Sequence, residues 1–85
     1  MKEFVYKIKD EIGIHARPAG LLVKEAAKFK SVITIGKGDK SSEATKLFGI
    51  MGLGVKCGDE VSVKVDGEDE DVAVNAMREF FEKTL

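Results

Sequence analysis

The chain is poor in the residues that staple small proteins. It has a single cysteine, Cys57, so no intrachain disulfide can form and no cysteine-rich zinc site can assemble. Tryptophan is absent, and histidine and proline occur once each, as His15 and Pro18. No apolar run approaches bilayer length, and the start, Met1-Lys2-Glu3-Phe4, does not read as a signal peptide. These absences point to a reduced, cytoplasmic setting and one domain spanning residues 1–85. There is no Walker motif, no HExxH and no Cys-His pair, so nucleotide, zinc-protease and thiol chemistries find no support. No metal or other cofactor is expected. Positive charge is not in excess either: 14 basic residues face 15 acidic ones, which argues against bulk nucleic-acid binding.

What is present is clear patterning. Phe4, Tyr6 and Ile8 alternate with Val5, Lys7 and Lys9, the mark of a half-buried strand. Asp10-Glu11-Ile12-Gly13 reads as a turn, with Gly13 free to take positive φ. Ala19, Leu22, Val23, Ala26 and Ala27 recur at helical spacing and predict an amphipathic helix over about 16–29. Pro18 belongs in its first turn, which puts the N-cap near His15. Ser31 to Ile35 predicts a strand, 36–39 a turn and 40–43 a short edge strand. Residues 44–51 predict a short helix ended by Gly52 and Gly54. Val61, Val63 and Val65 alternate with Ser62 and Lys64 as another strand. The last helix carries Ala73, Ala76, Met77, Phe80 and Phe81 on one stripe. Residues 68–71, all acidic, fill its first turn, where the macrodipole favours negative charge. The order β-α-β-β-α-β-α predicts an α+β open-faced sandwich, a four-stranded antiparallel sheet with three helices on one face.

A lone histidine is usually structural or merely exposed. His15, however, stands where an N-cap prefers Ser, Thr, Asp or Asn, so stability alone does not explain it. The first-turn N–H groups of Ala16 and Arg17 have no helical acceptor and, with the dipole, point towards an anion. A neutral imidazole there offers a ring nitrogen as a nucleophile. Arg17 adds a planar charged fork suited to phosphate oxygens. Together these features describe a phosphoryl group carried on His15 through a P–N bond of high transfer potential. With no nucleotide site, such a histidine needs outside donors and acceptors. That predicts a carrier rather than an enzyme.

Leu47, Phe48, Ile50 and Met51 are more apolar bulk than a short helix can bury. An exposed subset, joined by Leu21, predicts an adaptable docking patch, with Lys24 and Lys46 as a positive rim for acidic partners. Gly49-Ile50-Met51-Gly52 has the GxxG spacing of KH RNA-binding modules, but its apolar centre and the chain's acidic balance weigh against that reading. Cys57 has no neighbouring base and reads as a small residue at a turn.

Three stretches resemble the HPr family, the histidine-containing phosphocarriers of the bacterial phosphoenolpyruvate:sugar phosphotransferase system. They are Gly13-Ile14-His15-Ala16-Arg17-Pro18-Ala19, Leu47-Phe48-Gly49-Ile50-Met51 with Leu53-Gly54, and Gly67-Glu68-Asp69-Glu70. The resemblance covers the whole length. It implies the open-faced β-sandwich, a phosphohistidine at Nδ1 of His15, receipt of phosphate from Enzyme I and delivery to EIIA domains, with Arg17 assisting. It implies that Gly20, Leu21, Lys24, Leu47, Phe48 and Met51 contact both partners, which then bind in turn. Transcriptional regulators are further partners it suggests, to a chain expected to be monomeric, without nucleic acid and without membrane insertion. One departure stands out. Many members have Ser where this chain has Lys46, and in some bacteria a kinase/phosphorylase modifies it to regulate carbon use. Lys46 cannot accept that ester, and Thr45 should point elsewhere on a helix, so the switch is expected to be missing or altered. A regulatory or specialised phosphorelay paralogue of the same fold is the first alternative, and an RNA-binding α+β domain the second.

Overall fold

In the computed structural model, which describes residues 1–85, the elements follow the predicted order. They are β1 (Lys2–Lys7), α1 (Ala16–Ala26), β2 (Val32–Lys37), β3 (Lys40–Glu43), α2 (Leu47–Met51), β4 (Glu60–Asp66) and α3 (Glu70–Thr84). The strands form one antiparallel sheet in the order β1-β4-β2-β3. Strand β4, with neighbours on both sides, carries the cleanest alternation: Val61, Val63 and Val65 are buried. Register aligns Val63 with Phe4 on one side and Ile35 on the other, so the apolar residues of three strands share one face. The helices cover that face. Phe81 of α3 sits edge-on to Phe4 at 5.9 Å and to Tyr6 at 5.5 Å between ring centroids. It is fully buried, and truncating it to Ala would cost about 3–5 kcal/mol. The other sheet face, with Val5, Thr34, Ser62 and Lys64, is left to solvent or only half-covered. The fold is the predicted open-faced sandwich.

The element ends differ from the sequence reading, each for a local reason. β1 begins at Lys2, which pairs with Val65, and stops at Lys7. Beyond it the N–H groups of Lys9 and Asp10 donate to the Leu85 carbonyl, at 2.6 and 2.8 Å, instead of joining the ladder. α1 stops at Ala26, and Ala27 is its exposed C-cap rather than part of the buried stripe. There the Lys28 and Phe29 N–H groups bond three residues back, to Glu25 and Ala26, and tighten the chain into a turn. β2 runs on through Gly36 and Lys37, leaving only Gly38-Asp39 as the hairpin loop, with Gly38 at φ +63°. α2 is only 47–51. Ala44 stays buried at the sheet, its N–H donating to the Ile33 carbonyl at 2.7 Å, so Thr45 lies in a turn and Lys46 is the N-cap. Gly49 is needed inside this helix because a Cβ would collide with the Ser42 side chain of β3.

The acidic start of α3 does more than complement a dipole. Asp69, the N-cap, makes no capping bond to its own helix. Its carboxylate accepts the Lys30 N–H at 2.8 Å, the Ser31 N–H at 2.9 Å and the Ser31 hydroxyl, tying the start of β2 to α3. The Ser31 hydroxyl, then the Lys30 amide, hold the Asp69 carboxyl below its ordinary 3.8. Glu70 pairs with the N-terminal ammonium at 3.0 Å and accepts the Gly67 N–H at 3.2 Å, which lowers it from 4.5 in the same way.

Candidate functional site

His15 is aimed by a scaffold that begins at the end of β2. Lys37, at the end of β2, donates to the Gly54 carbonyl at 2.8 Å and pairs with Asp59 at 2.9 Å. Asp59 also accepts the Lys56 N–H at 2.9 Å, so the 54–59 loop is held at both ends. The Lys37 ammonium first, and then the Lys56 amide, keep the Asp59 carboxyl below its ordinary 3.8. Against this fixed loop lies the turn before α1. The Val55 carbonyl accepts the Ile14 N–H at 3.1 Å. Gly13 sits at φ +86°, where a Cβ would come within 2.6 Å of the Lys56 Cα, so only glycine fits. On the other side the Asp10 carboxylate accepts the Ile12 N–H at 2.9 Å and the Asp10 carbonyl the Gly13 N–H at 3.1 Å. Ile14 anchors the turn in the core, only 6% exposed.

His15 follows as the N-cap of α1, as expected from Pro18, in extended conformation with φ −103° and ψ −171°. Its carbonyl accepts the Ala19 N–H at 3.0 Å, but its ring makes no capping bond. No acidic residue lies in the first turn, and the Ala16 and Arg17 N–H groups have no acceptor in the protein. Pro18 is buried and has no N–H to orphan. The half-buried imidazole therefore sits at a positive helix end whose donors are unspent.

Around it opens a cleft of about 410 Å³. His15, Arg17, Pro18 and Leu21 line it from α1, Asp10 and Ile12 from the preceding turn, and Lys83 and Thr84 from the last turn of α3. Neither Arg17 nor Lys83 is ion-paired. Such a pocket, with cationic side chains and free amides around a nucleophilic ring, suits a small multiply charged anion. No cluster of three or more His, Cys, Asp or Glu side chains could hold a metal.

The second predicted feature also has a surface. Phe48 is 82% exposed, Leu21 46% and Met51 37%, while Leu47 is half-buried and Ile50 fully buried. The structure thus sends Ile50 to the core, packs Leu47 partly against it and leaves Phe48, Met51 and Leu21 outward. Leu21 belongs to the His15 cleft as well, so it lies where site and patch meet. Gly20 is half-buried with open space where a Cβ would stand. Lys24 is exposed and unpaired, but Lys46 pairs with Glu43 at 3.3 Å, which offsets part of its contribution to the rim. Cys57 is exposed, its sulfur 3.8 Å from the Lys9 carbonyl. Asp10, Ile12, Lys83 and Thr84 were not among the residues singled out by pattern. Their only local signals, a turn carboxylate and a basic helix end, are explained without a site.

No helix is long and apolar enough to cross a membrane. Residues 2–83 match the family described as "PTS HPr component phosphorylation site". The chain is 39% identical to the phosphocarrier protein HPr of Mycoplasma capricolum over 93% of its own length and 89% of the relative's. It is 39% identical to that of Mycoplasma genitalium, over 98% and 96%. Among solved structures, HPr from Thermoanaerobacter tengcongensis superimposes with a TM-score of 0.93 at 42% identity, covering 98% and 93% of the two chains. Crh of Bacillus subtilis, crystallised as a swapped dimer, gives 0.78 at 32%, covering 94% and 92%. A match along nearly the whole chain, joined to this fold and this helix start, places the protein in the HPr family of the phosphotransferase system.

Proposed function

We propose that the chain is a cytoplasmic phosphocarrier, a single domain over residues 1–85, in which His15 takes a phosphoryl group from Enzyme I and hands it to EIIA domains of sugar permeases. The observation that carries this reading is the start of α1: an imidazole without a capping bond, two free amides and no acid in the first turn. On charging, a ring nitrogen of His15 attacks phosphorus. The new P–N bond forms as the bond to the donor breaks, and the donor's leaving atom keeps the electron pair. Discharge reverses these roles with the acceptor as nucleophile. Such transfer needs little beyond alignment and charge stabilisation. The Ala16 and Arg17 amides and the Arg17 guanidinium are the groups placed to supply it.

Leu21, Phe48 and Met51, with Gly20, Lys24, Lys46 and Leu47 beside them, form the face on which Enzyme I and EIIA dock. One face serves both, so donor and acceptor alternate. The test is incubation with phosphoenolpyruvate, magnesium and Enzyme I. An acid-labile phosphoramidate should form on the wild type and not on His15→Ala, and label should pass to an EIIA domain. Equal labelling of His15→Ala would overturn the assignment. Labelling without onward transfer would favour the second reading, a specialised relay or regulatory module. That reading draws on Lys46, an ion-paired lysine with no hydroxyl for a regulatory kinase to esterify. Incubation with the serine kinase and ATP should incorporate no phosphate, and stoichiometric label would sink this expectation.

A further inference from the structure

The carried group is a phosphoryl of about −1.5 to −2 charge at neutral pH, more than one guanidinium neutralises. The cleft holds a second cation. Lys83 comes from the last turn of α3, and the Leu85 carbonyl, accepting the Lys9 and Asp10 N–H groups, fastens that turn to the opposite wall. Lys83 has no carboxylate within 4 Å; Lys7, Lys9, Lys24, Lys40, Lys56 and Lys64 have none either, but of these only Lys83 lines the cleft. The one side-chain carboxylate lining the cleft, Asp10, already accepts the Ile12 amide. A helix C-terminus accounts for a lysine at position 83, and Lys83 also lines a second cleft with Glu25 and Glu79, pairing with neither; it is nonetheless the one lysine in the cleft of His15.

We propose that Lys83 is a phosphoryl-binding residue, its ammonium ion-pairing across the cleft with the oxygens of the group on His15. The proposal rests on His15 being the carrier. Lys83 favours the phosphorylated over the free protein, so it sets how strongly this chain holds its cargo. The expected effect is small, because the pair is exposed to solvent.

Exchange at equilibrium measures this directly. Wild type labelled by Enzyme I and ³²P-phosphoenolpyruvate is mixed with an equal amount of unlabelled Lys83→Met and a catalytic amount of Enzyme I. The two are then separated by charge. Both forms of each protein are folded, so any change in fold stability cancels. Label should settle about two- to five-fold in favour of wild type at low salt and approach even partition near roughly 1 M salt. Lys83→Arg should partition as wild type does. Lys7→Met, which removes an exposed charge on β1, should also share label evenly. Even partition of Lys83→Met at low salt overturns the proposal, as does an equal bias in Lys7→Met, which would trace the effect to net charge. Failure of the wild type to take label at all overturns the carrier reading, and this one with it.

Discussion

α1 and α3 begin in opposite ways. α3 starts on Asp69 with Glu70 and Asp71 behind it, and the first two carboxylates are engaged by the Lys30–Ser31 corner, the Gly67 amide and the N-terminal ammonium. α1 starts on His15, with no acid in its first turn and two amides unspent. Negative charge is built permanently into one helix start and kept out of the other. At α3 it stabilises the fold by joining elements far apart in sequence. At α1, in the proposed function, it is left to a group that arrives and leaves, and the helix forgoes a cap worth about 1 kcal/mol.

The most severe way to break this contrast is to make α1 resemble α3. His15→Asp should abolish phosphoryl acceptance while raising stability by about 1 kcal/mol, read by label incorporation and by urea denaturation. Next is Arg17→Met, which leaves the ring but removes the guanidinium. Transfer from Enzyme I should slow by about ten- to a hundred-fold with no change in the melting curve, since the side chain is exposed. Phe48→Ser should weaken partner affinity about ten-fold in titration calorimetry and alter stability by no more than about 0.5 kcal/mol.

The mildest test sits at the other helix. Asp69→Ala should lower the melting temperature at pH 7 and leave His15 chargeable. Its folded carboxyl lies below the ordinary 3.8, so its contribution is complete above about pH 5 and disappears as pH falls through the folded value. The gap between wild type and Asp69→Ala should therefore narrow as pH falls below the ordinary 3.8 and close only below the folded value, and Asp59 and Glu70, shifted in the same direction, add to the acid sensitivity of the wild type. A gap that persists into acid would mean the carboxylate charge is not what binds Asp69 to Ser31.

What could be read from the chain was what local pattern controls. Alternation located the strands, and the Gly13-to-Pro18 run located the turn and the helix start. Pro18 did so because a residue without an N–H belongs in the first turn, and Gly13 because only glycine tolerates φ +86° there. The excess apolar bulk at 47–51 told that something must face outward, and Phe48 does. What escaped was set by contacts distant in sequence. Asp69 looks like a dipole residue until it meets Lys30 and Ser31. Lys83 looks like a helix-end cation until the Leu85 carbonyl, bound to Lys9 and Asp10, sets the last turn of α3 against the cleft that His15 also lines. The short span of α2 depended on Ala44 being held by Ile33, and no period reports that.

The junction at Leu85 makes the cleft depend on the docking of a whole helix. His15 and the α3 residues that wall its cleft, Lys83 and Thr84, are distant in sequence, so the cleft exists only when α3 is docked. Local opening of α3 alone would leave the histidine in place and remove one side of its cleft.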